Sequence, residues 1–482
     1  MHQPSADLPL LDRVQRALKS PDRAWTATRL SGKAIHVGVD HKYSYDFLSD
    51  GRFVQSFSGP NPETFGNDGK NYWEDDGSHA VQKLDLEDRD RQMAINLVLS
   101  DNWLLSSPPV RLTADGDTVH MLLKETGQEV EIRVDPTTAL PVEASFHGAE
   151  GTTSIKLSDW KNAGDRKLPM RAEVTTDGST ETYECDQVTA IKREDARTAM
   201  PAWGVTDTTF DDTKLPTLES RFAGKRHILV HPLVNGQDIG WFIVDSGSGP
   251  MIIDKAKADS MHLQTIGHDT GTGVGGSVES STRVVSEFSL GPVTMRNQRF
   301  GDFDLAQITK GGAVPIAGIV GSAFMRRVVM TINWNGPVVK VFDRTKFKLD
   351  RGNWERLRFS GGNPAVYAGI SGAPKSWYRL DSGAAGFLTL HSPFVKKWNF
   401  LEGKDTTASS STGAGGTVTA RTGKVKWFEF SGRRFENPTI QFSTATVGTF
   451  SDPYLAGNIG IDAISKFEVV LDFTGSRVAF LN

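Results

Sequence analysis

The sequence predicts a mainly β protein: an N-terminal antiparallel sheet with one or two helices, then two β-rich lobes built on one repeated pattern. Three observations predict it. Alternating apolar runs separated by Gly-containing turns recur along most of the 482 residues. Helical readings fall on only two stretches, both in the N-terminal part. Finally, Trp241-Phe-Ile-Val-Asp-Ser-Gly247 returns 136 residues later (245 to 381) as Trp377-Tyr-Arg-Leu-Asp-Ser-Gly383.

Leu8, Leu10, Leu11, Val14 and Leu18 keep a helical period and open the chain. From Trp25 onward strands dominate, as in Tyr43-Ser-Tyr-Asp-Phe47, Val119-His-Met-Leu-Leu123 and Glu129-Val-Glu-Ile-Arg-Val134. Turn signals punctuate them at Asp50-Gly51, Asp76-Gly77, Asp115-Gly116, Thr126-Gly127 and Asp177-Gly178. Such spacing argues for one large antiparallel sheet, with the stretch from about Leu86 to Leu104 as a helix covering one face. The polar, proline-containing run Asp211–Ser220 fits a linker. The expected division is 1–215 for an N-terminal domain, 216–350 for a first lobe and 351–482 for a second.

Each lobe repeats four elements in one order. Ahead of Asp245, two β-rich runs join at Asn235-Gly236, a hairpin signal, and ahead of Asp381 a similar pair joins at Ser371-Gly372. About thirty residues after each aspartate comes a glycine cluster, Gly271–Val278 and Gly413–Val418, which permits positive φ and close backbone approach. Next stand Ala317-Gly-Ile-Val-Gly321 and Ala456-Gly-Asn-Ile-Gly460. Each copy closes with two strands joined at a turn, Asn335-Gly336 or Thr474-Gly475. One Asp-Ser-Gly is an ordinary turn. Two in matched settings place one carboxylate in each copy of a duplicated lobe.

In this ordered set, roughly residues 219–482 resemble the aspartic protease superfamily, in both its retroviral (retropepsin-like) and pepsin-like branches. The family's Asp-[Ser/Thr]-Gly matches at Asp245-Ser246-Gly247 and Asp381-Ser382-Gly383. Its hydrophobic-hydrophobic-Gly element matches at Ile319-Val320-Gly321 and, with polar Asn458 in an apolar place, at Asn458-Ile459-Gly460. Ser322 and Ile461 follow those glycines where retroviral enzymes carry arginine.

The resemblance implies a bilobal pair of β-barrels in one chain, with Asp245 and Asp381 as a catalytic dyad. Two carboxylates within hydrogen-bond reach share a proton, so one activates a water while the other protonates the scissile carbonyl. No metal or cofactor enters such a reaction. Supporting roles fall on Ser246, Gly247, Ser248, Ser382 and Gly383, the two serines tying the loops together. Ser248 follows the first tripeptide and Ala384 the second, so the two carboxylates are expected in unequal environments. Flaps over a peptide or protein substrate are expected at Gly273, Val274, Gly275 and Gly276, and at Gly413, Ala414, Gly415 and Gly416. The expected function is that of an aspartic endopeptidase. The alternative is a non-catalytic peptide- or lipoprotein-binding protein that keeps the cleft. Both half-sites lie in one chain, so a monomer is expected.

Val134-Asp-Pro-Thr-Thr-Ala-Leu-Pro-Val142, Ile155-Lys-Leu-Ser-Asp-Trp160 and Arg166-Lys-Leu-Pro-Met-Arg171 are similar, loosely, to bacterial outer-membrane lipoprotein-carrier sheets. That resemblance spans about residues 20–195. It implies a curved half-barrel, an extracytoplasmic bacterial setting and an apolar groove, but no lipid-carrier function: a structural or substrate-presenting domain is expected, with a hydrophobic ligand or protein partner as the alternative.

Composition removes several classes. A net charge of −4 gives no support for nucleic-acid binding, and no apolar run reaches membrane-spanning length. The single cysteine, Cys185, excludes an internal disulfide and reads as an inert strand residue. The eleven histidines show no metal-ligand spacing; His227 and His231 fall on one face of a strand and need no metal. The opening Met1-His-Gln-Pro-Ser-Ala-Asp7 lacks the charge-then-apolar pattern of a signal peptide. The expected location is periplasmic or secreted with a leader already removed, and cytoplasmic is the alternative.

Overall fold

The structure, a computed structural model, describes residues 8–18, 27–104, 109–124, 126–148, 151–164, 166–176, 178–224, 226–306 and 315–482. It is mainly β, with curved sheets and a half-barrel. The chain forms two compact units, residues 1–77 with 87–202, and residues 78–86 with 203–482.

In the first unit, a long antiparallel sheet is laid down almost wholly by consecutive hairpins. Strands from Ala27–His36 to Tyr72–Asp75 run outward one way, and strands from Ser179–Ala190 back to Val110–Asp115 run the other. The two series meet where Ala27–His36 pairs with Ser179–Ala190, Thr28 opposite Ala190. Helices form at Leu8–Leu18 and Leu86–Ser100, followed by a 3₁₀ turn at Asn102–Leu104. Alternation puts Val119, Met121, Leu123, Val130, Ile132 and Val134 on the covered face, where they share a core with Leu10, Val14, Leu18, Leu97 and Val98. Cys185 lies in this core, and burial pushes its thiol up to about 12, which suits an inert residue.

The second unit holds two sheets of similar plan and a third that joins them. One contains the strands from Thr208–Phe210 to Ile316–Val320, the other those from Arg358–Ser360 to Gly457–Ile459. The terminal hairpin of each copy enters the third sheet. There Val329–Asn333 pairs antiparallel with Glu468–Asp472, Met330 opposite Leu471 and Ile332 opposite Val469. Equivalent strands paired antiparallel are related by a local twofold. One continuous core runs through both copies, from Phe242, Phe288 and Phe324 to Tyr378, Phe428 and Phe473.

The polar run 211–220 lies within this unit. Leu218 is buried and its N–H donates to Val339 O (2.9 Å), while Lys346 pairs with Asp212. Buried Leu218 and these polar contacts fasten the run, while Leu215 stays exposed.

Candidate active site

Each aspartate sits where a short buried strand ends against its parallel neighbour. Trp241–Val244 lies beside Ile316–Val320, and the Asp245 N–H donates to Val320 O at 3.1 Å. In the second copy Ala373–Leu380 lies beside Gly457–Ile459, and the Asp381 N–H donates to Ile459 O at 3.0 Å. The apolar-apolar-Gly elements therefore clamp the backbone of the aspartates. Their glycines leave room for the turn: a Cβ on Gly321 would stand 2.1 Å from Pro250 O, and one on Gly460 2.5 Å from Gly386 O.

The two Asp-Ser-Gly turns are bound to each other by a reciprocal pair of serines. The Ser246 hydroxyl accepts the Ser382 N–H (3.0 Å) and donates to Leu380 O (2.7 Å). Ser382 does the mirror operation, accepting the Ser246 N–H (3.0 Å) and donating to Val244 O (2.9 Å). Both serines are buried. A Cβ on Gly247 would lie 2.5 Å from Cγ of Asp381, and one on Gly383 would lie 2.3 Å from Cγ of Asp245. Each carboxyl thus rests against the glycine of the other copy, and only glycine leaves that space. The Asp381 carboxyl is near enough to act on that of Asp245 electrostatically. Burial first, and Asp381 second, hold the Asp245 carboxyl well above the usual carboxylate range.

The surroundings of the two carboxyls differ. Oδ1 of Asp245 accepts the Gly247 N–H at 2.7 Å. Oδ1 of Asp381 accepts both the Gly383 and Ala384 N–H groups, at 2.8 and 2.9 Å, and its Oδ2 accepts Nδ2 of Asn458 at 2.8 Å. The Ser248 hydroxyl turns to Pro250 O at 3.1 Å, and its N–H donates to the main-chain oxygen of Asp245, whereas the Ala384 N–H reaches the Asp381 carboxylate. Sequence reasoning marked Asn458 as a departure without giving it a task, missed Arg379, and gave His227 and His231 no role. Arg379, buried, holds the position that Ile243 has in the first copy. His227 pairs through Nε2 with Gly383 O at 3.0 Å, and His231 stacks on Trp241 with ring centroids 4.6 Å apart.

The two glycine clusters form hairpins, Thr265–Gly273 with Gly276–Leu290 and Thr407–Gly413 with Gly416–Lys424. Their tips touch: the Gly275 N–H donates to Ala414 O at 3.0 Å. Contact is so close that a Cβ on Gly273 would stand 2.3 Å from Ala414 O, and one on Gly413 2.6 Å from Cγ2 of Val274. Gly276, Gly415 and Gly416 have positive φ. Among the described residues no cluster of His, Cys, Asp or Glu fits a metal ion, and no helix is long and apolar enough to cross a membrane. In the first unit, Leu30, Tyr43, Tyr45, Leu99, Met170 and Tyr183 line a small apolar cavity.

The family model described as aspartyl protease matches residues 230–324, the stretch that carries Asp245 and Ile319-Val320-Gly321. No curated protein sequence matches the chain. Among solved structures, the chain is similar to the aspartic proteinase from Irpex lacteus at 13% identity, over 55% of this chain and 96% of that one, with a TM-score of 0.36. It is similar to a retropepsin-like aspartic protease from Rickettsia conorii at 15% identity, over 27% of this chain and 96% of that one, TM-score 0.21. It is also similar to a LolA superfamily protein from Nitrosomonas europaea at 12% identity, over 41% of this chain and 98% of that one, TM-score 0.28. The chain thus resembles aspartyl proteases and, separately, lipoprotein-sorting sheets.

Proposed function

We propose that the protein is an aspartic endopeptidase in which Asp245 and Asp381 hydrolyse peptide bonds by general acid–base chemistry. The observation that carries this reading is the reciprocal serine bridge, which holds two carboxyls from separate lobes against one another. Two such groups cannot both ionise comfortably, so the pair keeps one proton between them over a range of pH. A water between them loses a proton to the ionised carboxylate as its oxygen bonds to the peptide carbon. The protonated carboxyl gives its proton to the carbonyl oxygen, which leaves a neutral gem-diol. Collapse of the diol returns a proton to one carboxyl, delivers the other to the amine, and breaks the C–N bond.

In this reading the paired hairpins act as flaps that part to admit a peptide and then exclude bulk water. Lobe boundaries near 216–350 and 351–482 follow from the repeat, and a single chain supplies both half-sites, so the active form is a monomer. We place the protein in the periplasm or outside the cell, with the N-terminal unit as an accessory body able to hold an apolar group or a protein partner.

The test is cleavage of a peptide library by the wild type beside Asp245→Asn and Asp381→Asn. Both variants are expected to lose at least about 10³-fold in kcat/KM with unchanged circular dichroism, because each removes a group that must move a proton. Retained turnover in either variant would overturn the mechanism. Peptide binding without turnover by the wild type would leave the non-catalytic binding protein in its place.

A further inference from the structure

We infer that Asn458 is a positioning residue that keeps Asp381 as the ionised member of the pair and leaves the shared proton on Asp245. This rests on the proteolytic reading for its consequence, though not for its geometry.

Asp381 accepts three hydrogen bonds, from the N–H groups of Gly383 and Ala384 and from Nδ2 of Asn458. Asp245 accepts the Gly247 N–H alone among these turn and side-chain donors. Donors aimed at a carboxylate stabilise its charged form, and three outweigh one. The difference has a clear origin in the repeat. Asn458 pairs with Arg379 as Ile319 pairs with Ile243, so the first copy offers only a methyl-rich side chain at the equivalent place. Asn458 is 3% exposed, and its Oδ1 finds no hydrogen-bond partner. A buried amide that leaves its oxygen unpaired is retained at a cost, whereas isoleucine at the matching register carries none.

The other charges facing the pair do not undo the assignment. Arg379 draws Asp245 down, but less than burial and Asp381 raise it. Its own guanidinium lies 3.8 Å from Asp452, which offsets its charge. His391, beside it, is held at about 3 by burial and by Arg379, so it adds no positive charge near neutral pH. His227 meets the turn at the Gly383 carbonyl and hydrogen-bonds neither carboxyl in the contacts described. The roles follow: Asp381 takes the proton from water, and Asp245 donates to the carbonyl oxygen.

The experiment compares wild type with Asn458→Leu, which removes the donor at similar volume, and with Ile319→Asn, which offers Asp245 a donor of its own. In Asn458→Leu the acid limb of the kcat/KM–pH profile is expected to move up by about one unit, since the ionised form has lost a partner. A purely structural role would lower kcat/KM without moving the limb. Carboxyl ¹³C titration of aspartate-labelled protein, assigned with the two Asp→Asn variants, reads the same quantity without turnover. Asp381 is expected to titrate at the lower pH, its midpoint to rise in Asn458→Leu, and the gap between the two sites to narrow in Ile319→Asn. The inference is overturned if Asp245 titrates first, or if Asn458→Leu leaves the Asp381 midpoint in place or lowers it. Should the wild type hydrolyse no peptide while the titration order and shift hold, the proteolytic reading falls and the role of Asn458 stands.

Discussion

At the scale of single residues, the site is organised by side chains that serve both copies at once. Ser246 and Ser382 each accept one N–H and donate to one carbonyl across the junction, so two buried hydroxyls fix the backbone on which the aspartates stand. The enforced closeness has a thermodynamic signature. The folded state holds Asp245 well above its unfolded value, so between about pH 4 and the raised value the native protein binds more protons than the unfolded chain. Stability from this group is therefore full at low pH and is lost as pH rises through the folded value. Asp245→Asn, neutral at every pH, is expected to raise the Tm at pH 7 by several degrees and to change it little at pH 4, by scanning calorimetry; a destabilised variant at pH 7 would contradict this. Asp245, Asp381 and both serines were legible in the sequence because each lies in a tripeptide that occurs twice. The task of Asn458 was not, because it depends on strand register between residues 77 positions apart. Ser248 promised asymmetry by its neighbourhood alone, and the hydroxyl bonds elsewhere.

At the scale of elements, glycine decides where backbones can approach. The five turn signals of the N-terminal part all fall on glycines with positive φ: Gly51, Gly77, Gly116, Gly127 and Gly178. Those turns, and the helices at Leu8–Leu18 and Leu86–Ser100, were readable because each rests on local chemistry. At the hairpin tips the requirement is for space. A Cβ on Gly275 would stand 2.2 Å from Gly415 O, so Gly275→Val must push the two tips apart. If the hairpins are flaps, that variant loses about tenfold or more in kcat/KM, mainly through KM, while its Tm stays within a few degrees of wild type. Unchanged kinetics would remove the hairpins from the site. What no local pattern announces is the partner of each terminal hairpin. The strand Val329–Asn333 has the same alternation whether it edges its own lobe or joins Glu468–Asp472, and the structure chooses the second.

At the scale of the whole chain, the second unit draws residues 78–86 from inside the sequence of the first. Ala80, Val81 and Leu84 of that stretch are buried, and Ser78 adds specific polar contacts. Arg327, 3% exposed, donates to Ser78 Oγ at 2.9 Å as well as to Asp207 at 2.6 Å, and the Thr206 N–H donates to Ser78 O at 2.9 Å. A fragment beginning at Trp203 keeps both Asp-Ser-Gly turns and the Arg327–Asp207 pair but lacks the contacts to Ser78. Its Tm is expected to fall below that of the second unit's transition in the full chain, since a buried guanidinium deprived of a partner costs about 1–3 kcal/mol. An equal Tm would show that the borrowed stretch is dispensable. Neither the borrowing nor its extent was visible in a sequence that divides so naturally near residue 215, because the repeat announces the lobes and says nothing about a short excursion far upstream. The excursion also imposes an order of events on synthesis. Ser78 leaves the ribosome long before Thr206 and Arg327 exist, so in the nascent chain it waits for these partners. A chaperone that protects such waiting segments is therefore expected to raise the yield of the intact chain and to leave the yield of either unit's isolated core unchanged.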